Sequence, residues 1–129
     1  MRGRLALACV VMAIGVFLVG GVALAARFRG TDGPDEISGT KRADTIRGLG
    51  GNDRLSGGGG DDEIYGNGGS DRINGKNGDD RIMAADGKRD IIYCGRGTDY
   101  VYADYNRYDA DATDLVYYRC ETIKIVNAR

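Results

Sequence analysis

A nine-residue spacing constrains the fold of this chain more than any other feature. Six aspartates follow one another at intervals of nine residues, and each stands two residues before an aliphatic side chain. The aspartates are Asp35, Asp44, Asp53, Asp62, Asp71 and Asp80, and the aliphatic residues are Ile37, Ile46, Leu55, Ile64, Ile73 and Ile82. A fixed period of this kind predicts a repeat architecture in which each unit stacks on its neighbours.

The repeat is clearest when the chain is divided into units that begin with glycine. From residue 30 to residue 83 the units read GTDGPDEIS, GTKRADTIR, GLGGNDRLS, GGGGDDEIY, GNGGSDRIN and GKNGDDRIM. We number positions 1 to 9 within each unit, so the aspartate is at position 6 and the aliphatic residue at position 8. After one extra residue between Asp86 and Arg89, Asp90 with Ile92 and Asp99 with Val101 continue the pattern.

The glycine content argues against helices, because glycine in a helix interior costs about 1 kcal/mol relative to alanine. A turn followed by a three-residue strand fits the unit better, with glycine supplying positive φ in the turn and the aliphatic residue pointing inward. Two units then complete one coil. Stacked coils predict an all-β fold, a right-handed parallel β-roll with two short sheets facing each other.

The coil places the aspartates in two columns, at opposite edges of the roll. The two columns are Asp35, Asp53 and Asp71, and Asp44, Asp62 and Asp80. Successive coils lie about 4.8 Å apart, so the carboxylates of a column repel one another unless a cation lies between them. Carboxylates and turn carbonyls are hard oxygen ligands that suit Ca²⁺ better than Mg²⁺, and the chain contains no histidine for softer metals.

Several ions are predicted. Pairs of aspartates on the same edge give four regular sites, and Asp90 and Asp99 extend the series by two more. One aliphatic side chain per unit makes a thin core, so the ion-free chain is expected to be marginally stable. We therefore expect calcium binding and folding to be coupled.

The units resemble the RTX, or haemolysin-type, calcium-binding nonapeptide G-G-x-G-x-D-x-U-x, and GGGGDDEIY and GLGGNDRLS match it best. The resemblance covers roughly residues 30–102 and implies a parallel β-roll with Ca²⁺ held between turns. It implies metal-binding roles for Asp35, Asp44, Asp53, Asp62, Asp71, Asp80, Asp90 and Asp99. It also implies that turn glycines supply backbone geometry and carbonyls, namely Gly33, Gly51, Gly60, Gly69 and Gly78.

Two positions depart from that pattern. Position 2 is glycine only in GGGGDDEIY and is otherwise Thr31, Thr40, Leu49, Asn67 or Lys76. Arg42 replaces the glycine of position 4, so we expect it to be strained by the φ that the turn requires and to weaken its site. The chain looks like a small stand-alone secreted β-roll, without a toxin or catalytic domain.

The N-terminal segment has the composition of a secretory signal. Arg2 and Arg4 precede an uncharged apolar run, and Ala23-Leu24-Ala25 fits the small-x-small cleavage pattern, which predicts a signal peptide over residues 1–25 and a secreted chain. The alternative is an uncleaved membrane anchor. Cleavage would leave a net charge of −3 and no stable membrane insertion, and the acidic balance argues against a nucleic-acid partner.

The remaining chain divides into a regular calcium-binding roll over residues 26–83, degenerate repeats over 84–102 and a C-terminal cap over 103–129. Cys94 and Cys120 predict a disulfide in an exported chain, with free thiols as the alternative. The tyrosine-rich end, with its acid-dense segment 104–114, is interpreted as a cap on the open solenoid. The alternative is an aromatic platform for a glycan or protein partner.

Catalysis is not expected. The chain has no histidine, and the serines beyond residue 25 lie inside repeat units without a base nearby. We therefore interpret the chain as a secreted, non-catalytic β-roll that binds several Ca²⁺ ions. The alternative is an extracellular adhesion or interaction module in which Ca²⁺ is only structural.

Overall fold

The computed structural model describes residues 25–105, 115–117 and 120–127, and these segments form strands and turns without a helix. The predicted signal peptide lies, apart from Ala25, outside the described residues. The strands are β1 (Arg27–Arg29), β2 (Glu36–Ser38), β3 (Thr45–Leu49), β4 (Arg54–Gly58), β5 (Glu63–Asn67), β6 (Arg72–Asn77), β7 (Arg81–Met83), β8 (Ile91–Arg96), β9 (Tyr100–Tyr105), β10 (Leu115–Tyr117) and β11 (Thr122–Asn127). Across these ranges, no helix is long and apolar enough to cross a membrane.

The strands alternate along the chain between two parallel sheets. The six-stranded sheet has the order β1-β3-β5-β7-β9-β11, and the five-stranded sheet has the order β10-β8-β6-β4-β2. Neighbouring strands are in register at corresponding positions of successive coils, as in the pairs Ile46↔Ile64 and Leu55↔Ile73. The predicted parallel β-roll of two facing sheets is confirmed.

The core is the double column of position-8 side chains between the sheets. Every one of the six predicted aliphatic residues is at most 2% exposed. The buried core consists of Phe28, Ile37, Ile46, Leu55, Ile64, Ile73, Ile82, Ala84, Ile92, Cys94, Val101 and Ala103. Phe28 shows that the roll begins one strand before the first unit, on β1, which pairs with β3.

We number the coils from the first complete unit: the first coil is residues 30–47, the second 48–65, the third 66–83 and the fourth 84–102. The second and third together are called the central coils. The fourth coil is one residue longer, because Arg72 pairs with Ile91 across 19 residues whereas Arg54 pairs with Arg72 across 18. This places the extra residue where the sequence predicted it.

The C-terminal part continues the solenoid. The Cys94–Cys120 disulfide is present, with 5.4 Å between the Cα atoms, and confirms the predicted pairing. β11 runs parallel to β9 over six residue pairs, so the tail adds a full edge strand. Most of the acidic segment 104–114 lies outside the described residues.

The prediction of three-residue strands is wrong for β3 to β6, although β7 of the third coil does have three residues. β3 to β6 are five or six residues long and extend through position 2 of the following unit. The reason is that the parallel pairing continues into the turn, as in Leu49↔Asn67 and Gly58↔Lys76. The turn is therefore more regular than the glycine content suggested.

Candidate metal sites

Two columns of buried aspartates run along the edges of the roll. The structure brings together the predicted partners, and all eight predicted aspartates are at most 4% exposed. In each column the backbone N–H of one aspartate donates to Oδ1 of the aspartate one coil later. The N···Oδ1 distances are 2.9 Å for Asp35–Asp53, 2.8 Å for Asp53–Asp71, 2.7 Å for Asp71–Asp90, 2.8 Å for Asp44–Asp62, 2.9 Å for Asp62–Asp80 and 2.9 Å for Asp80–Asp99.

The second carboxylate oxygen of the central aspartates has a different environment. Oδ2 is buried and has no hydrogen-bond partner in Asp53, Asp62, Asp71 and Asp80 of the central coils, and the same holds for Asp99 of the fourth coil. A buried carboxylate oxygen without a partner is destabilising, because it has lost its water without gaining a donor or a cation. These oxygens are the clearest sign that the columns need a ligand.

Burial changes the acidity of the same groups. Burial raises the pKa of Asp53 and Asp62 to about 6 and that of Asp71 and Asp80 to about 7, from an ordinary value of 3.8. The hydrogen bond from the preceding aspartate's N–H opposes this rise, and neighbouring carboxylates add to it. Burial also raises the pKa of Asp99. A divalent cation would favour the charged form of all five.

The glycines at position 1 allow Oδ2 of the unit's aspartate and a carbonyl oxygen of the next coil to approach the backbone closely. A Cβ on Gly57 would stand 2.3 Å from Asp62 Oδ2 and 2.7 Å from the carbonyl oxygen of Gly75, one coil later. A Cβ on Gly48 would meet the corresponding oxygens of Asp53 and Gly66 at 2.4 and 2.7 Å. Carboxylate and carbonyl oxygens thus converge on a small cradle that any side chain at position 1 would fill.

The turn glycines predicted from the sequence are those of position 4, and the role of position 1 was not predicted. The signal was available, because position 1 is glycine in all six regular units whereas position 4 is arginine in one of them. The position-1 glycines are Gly30, Gly39, Gly48, Gly57, Gly66 and Gly75.

The turns of the central coils contain two residues in the left-handed region, at positions 2 and 4. At position 4, φ is +89° for Gly51, +80° for Gly60, +112° for Gly69 and +118° for Gly78. At position 2, Leu49, Asn67 and Lys76 have φ of 77°, 61° and 75°, which non-glycine residues rarely adopt. The predicted turn glycines therefore do have a conformational role in these coils.

The first coil has a different turn. Positive φ occurs at neither Gly33 nor Arg42 among the described residues, so the predicted strain at Arg42 is wrong. The N–H of Arg42 donates to Thr40 Oγ1 at 3.1 Å, and the N–H of Gly33 donates to Thr31 Oγ1 at 3.2 Å. Threonine at position 2 thus builds a turn that does not require glycine at position 4.

The fourth coil changes the cradle in another way. Ala84 and Cys94 occupy position 1, and both are buried, so side chains stand where the regular units have glycine. Beyond Asp99 the column ends at Glu121, whose Oε2 accepts the N–H of Asp99 at 2.7 Å. Sequence reasoning missed Glu121, because it follows Asp99 by 22 residues and so lies outside the nine-residue spacing.

The donor set fits a hard cation bound by oxygen. In the described segments, no three side chains of His, Cys, Asp or Glu lie together as a metal-binding group. A cation in the central coils would therefore need backbone carbonyls, such as those of Gly66 and Gly75, beside the aspartate oxygens. Mixed carboxylate and carbonyl coordination is characteristic of Ca²⁺ sites.

A parallel β-solenoid with aspartate columns at its turns defines a class of calcium-binding repeat proteins, and comparison with known families agrees. Residues 29–64 and 48–82 match the RTX calcium-binding nonapeptide repeat (4 copies). Residues 29–82, less than half of the chain, are therefore similar to this family, whose repeats bind Ca²⁺ and are structural rather than catalytic units. No curated protein and no solved structure matches the chain significantly.

Proposed function

We propose that this chain is a secreted, non-catalytic calcium-binding β-roll whose folding is coupled to Ca²⁺. The observation that carries the proposal is the row of buried carboxylate oxygens without a partner at Asp53, Asp62, Asp71 and Asp80. Each lies against a position-1 glycine that has no room for a Cβ. Ca²⁺ supplies both the counter-charge and the coordination that the protein itself does not provide.

The thin core supports the coupling between binding and folding. Each unit buries one aliphatic side chain of the size of Ile46 or Leu55, and it also buries one aspartate. Without an ion, the cost of the buried carboxylates opposes the gain from the aliphatic column. Binding to the folded state alone then adds its free energy directly to the stability of the roll.

The test is a calcium titration of the oxidised chain that follows far-UV circular dichroism and bound ions together. We expect a cooperative gain of β signal as several ions bind, and a much weaker response to the same concentrations of Mg²⁺. A full β signal in excess chelator would contradict the coupling, and the lack of any bound Ca²⁺ would contradict the function itself.

Two further features support export. The apolar segment with Arg2 and Arg4 at its start has the composition of a signal peptide, and the Cys94–Cys120 disulfide is typical of an oxidising compartment. We expect the exported chain to begin at Ala26. Mass spectrometry of protein from the medium checks this, and an exported chain that retains Met1 would contradict cleavage.

A second candidate function is an interaction module, and the outer face of the six-stranded sheet favours it. Tyr65 and Tyr102 flank Met83 in register at position 9. Arg47 lies 5.1 Å from the ring centroid of Tyr65, and Lys124 Nζ lies 5.5 Å from that of Tyr102. Aromatic rings on a flat face suit sugar rings or a partner's apolar groups.

This surface replaces the predicted platform as the place to test. Tyr108 lies outside the described residues, whereas the structure describes both Tyr65 of the regular roll and Tyr102 of the degenerate repeats. We expect a glycan-array signal that is lost in Tyr65→Ala with Tyr102→Ala and kept in Tyr93→Ala, which changes the opposite sheet. Equal signals from all three proteins would contradict the interaction role of this face.

A further inference from the structure

The first coil satisfies its aspartates with protein groups. Asp35 Oδ2 accepts the N–H of Thr31 at 2.6 Å and the Thr31 hydroxyl at 3.0 Å. Asp44 Oδ2 accepts the same two groups of Thr40, at 2.6 and 2.9 Å. In the central coils the corresponding oxygens of Asp53 and Asp62 have no partner.

The difference begins in the backbone at position 2. In the central coils, residues such as Leu49 and Gly58 have positive φ, and Oδ2 of the unit's aspartate receives no hydrogen bond. At Thr31 and Thr40 the N–H itself points at the carboxylate. A donor in that place presents a positive dipole where a cation would have to approach, so an ion could coordinate Oδ2 only after two hydrogen bonds were broken.

The position of the coil in the solenoid explains why it differs. β1 and β2 are the edge strands of the two sheets. The column of Asp44 ends one coil earlier at Ala26, whose N–H donates to Asp44 Oδ1 at 3.1 Å and which has no carboxylate. Lys41 and Arg42 also lie in the loop that leads to Asp44, whereas Gly59 and Gly60 lie in the loop that leads to Asp62. An ion at the Ala26 end of the Asp44 column would thus lack a second carboxylate, and the adjoining loop carries two positively charged residues.

We propose that the first coil is a calcium-free end of the roll, in which Thr31 and Thr40 replace the ion and only the aspartates of later coils bind Ca²⁺. This inference rests on the proposed calcium binding and limits it. The regular sites are then those of Asp53, Asp62, Asp71 and Asp80. The matching of RTX repeats over residues 29–82 does not distinguish these four from Asp35 and Asp44.

The test counts ions in matched variants of the oxidised chain, by equilibrium dialysis against Ca²⁺ followed by elemental analysis. Asp35→Asn and Asp44→Asn are expected to keep the wild-type number of ions. Asp53→Asn and Asp62→Asn are each expected to lose at least one ion per chain. If the first pair loses as many ions as the second, the first coil binds Ca²⁺ and the inference is wrong, although the proposed function stands. If the wild type binds no Ca²⁺, both are wrong.

A gain of binding gives an independent test that does not depend on a weakened variant. Thr31→Gly converts the first turn to GGDGPD, which has glycine at positions 1, 2 and 4 as in GGGGDD. Without the threonine hydroxyl, and with positive φ available at position 2, the chain is expected to bind one additional ion. An unchanged number of ions would show that Thr31 does not close the site.

Discussion

The first coil and the central coils share one nonapeptide spacing but satisfy their aspartates differently. In the first coil, Thr31 and Thr40 donate to the carboxylates and the turns do not use positive φ at position 2 or 4. In the central coils, the corresponding residues adopt positive φ and the carboxylates remain buried without a second partner. The comparison teaches that the spacing sets the column of aspartates, whereas the residue at position 2 decides whether Oδ2 has a hydrogen-bond donor from the protein.

The position-1 cradle gives the largest expected effect. Gly57→Ala places a Cβ 2.3 Å from Asp62 Oδ2, so we expect a loss of about 3 kcal/mol or more of unfolding free energy and at least one bound ion. Gly68→Ala is the matched control, because its Cβ would meet only Leu49 O, at 3.8 Å, and is expected to change stability by less than about 0.5 kcal/mol. Urea denaturation in saturating Ca²⁺ measures the unfolding free energy of both variants, and equilibrium dialysis counts their bound ions. Similar losses in the two variants would mean that no cradle exists.

Removal of the disulfide tests whether the C-terminal end of the roll unfolds independently of the central coils. Replacing Cys94 and Cys120 together by alanine is expected to cost about 3 kcal/mol in the chain-entropy model. Because the bond links β8 to the residue before Glu121, the fourth coil should loosen while the central coils keep their ions. Hydrogen exchange and ion counting check this. A loss of all bound Ca²⁺ would show that the central coils depend on that end.

The raised pKa values predict a pH dependence of the central coils. The pKa of Asp71 and Asp80 is about 7 and that of Asp53 and Asp62 about 6, above the unfolded value of 3.8. These four groups therefore stabilise the ion-free fold most below about pH 4, and their contribution is lost as pH rises through 6 to 7. Calcium competes with those protons, so its affinity should rise about tenfold or more between pH 5 and pH 8. Calorimetry over this range is the measurement, and a constant affinity would mean that the ion-free chain does not bury these carboxyls.

The smallest expected change in stability is also the most specific test. Substitution of the position-2 residue by glycine should stabilise the roll in a central coil and destabilise it in the first coil. Lys76 has φ of 75°, so Lys76→Gly is expected to stabilise the roll by about 1 kcal/mol through relief of backbone strain. Thr40→Gly removes the hydroxyl that donates to Asp44 and accepts from Arg42. It is expected to destabilise by about 1 kcal/mol even in Ca²⁺, because Ala26 at the end of this column supplies no second carboxylate for an ion. Thermal denaturation of both in saturating Ca²⁺ decides the point. The same sign in both variants would remove the distinction between the two types of turn.

Much of this site could be predicted because its aspartates recur at a strict nine-residue spacing. Identical spacing forces Asp35, Asp53 and Asp71 into one column, whatever the turn looks like in detail. The threonines were visible in the sequence as departures at position 2, but their effect was not, because it depends on the direction in which a peptide N–H points. Arg42 was misjudged for the same reason, since its φ follows from Thr40 and not from the repeat.

The sequence by itself determined the coil, the two sheets, the aliphatic core and the pairing of the aspartates. Each of these follows from side-chain alternation in strands and from a strict nine-residue period. Only the tertiary structure decided which carboxylate oxygens lack a partner, that position 1 of the regular units has no room for a side chain, and that Glu121 ends a column. The physical reason is that these properties depend on atoms one coil apart, where a few tenths of an ångström separate a hydrogen bond, a steric clash and a space for an ion.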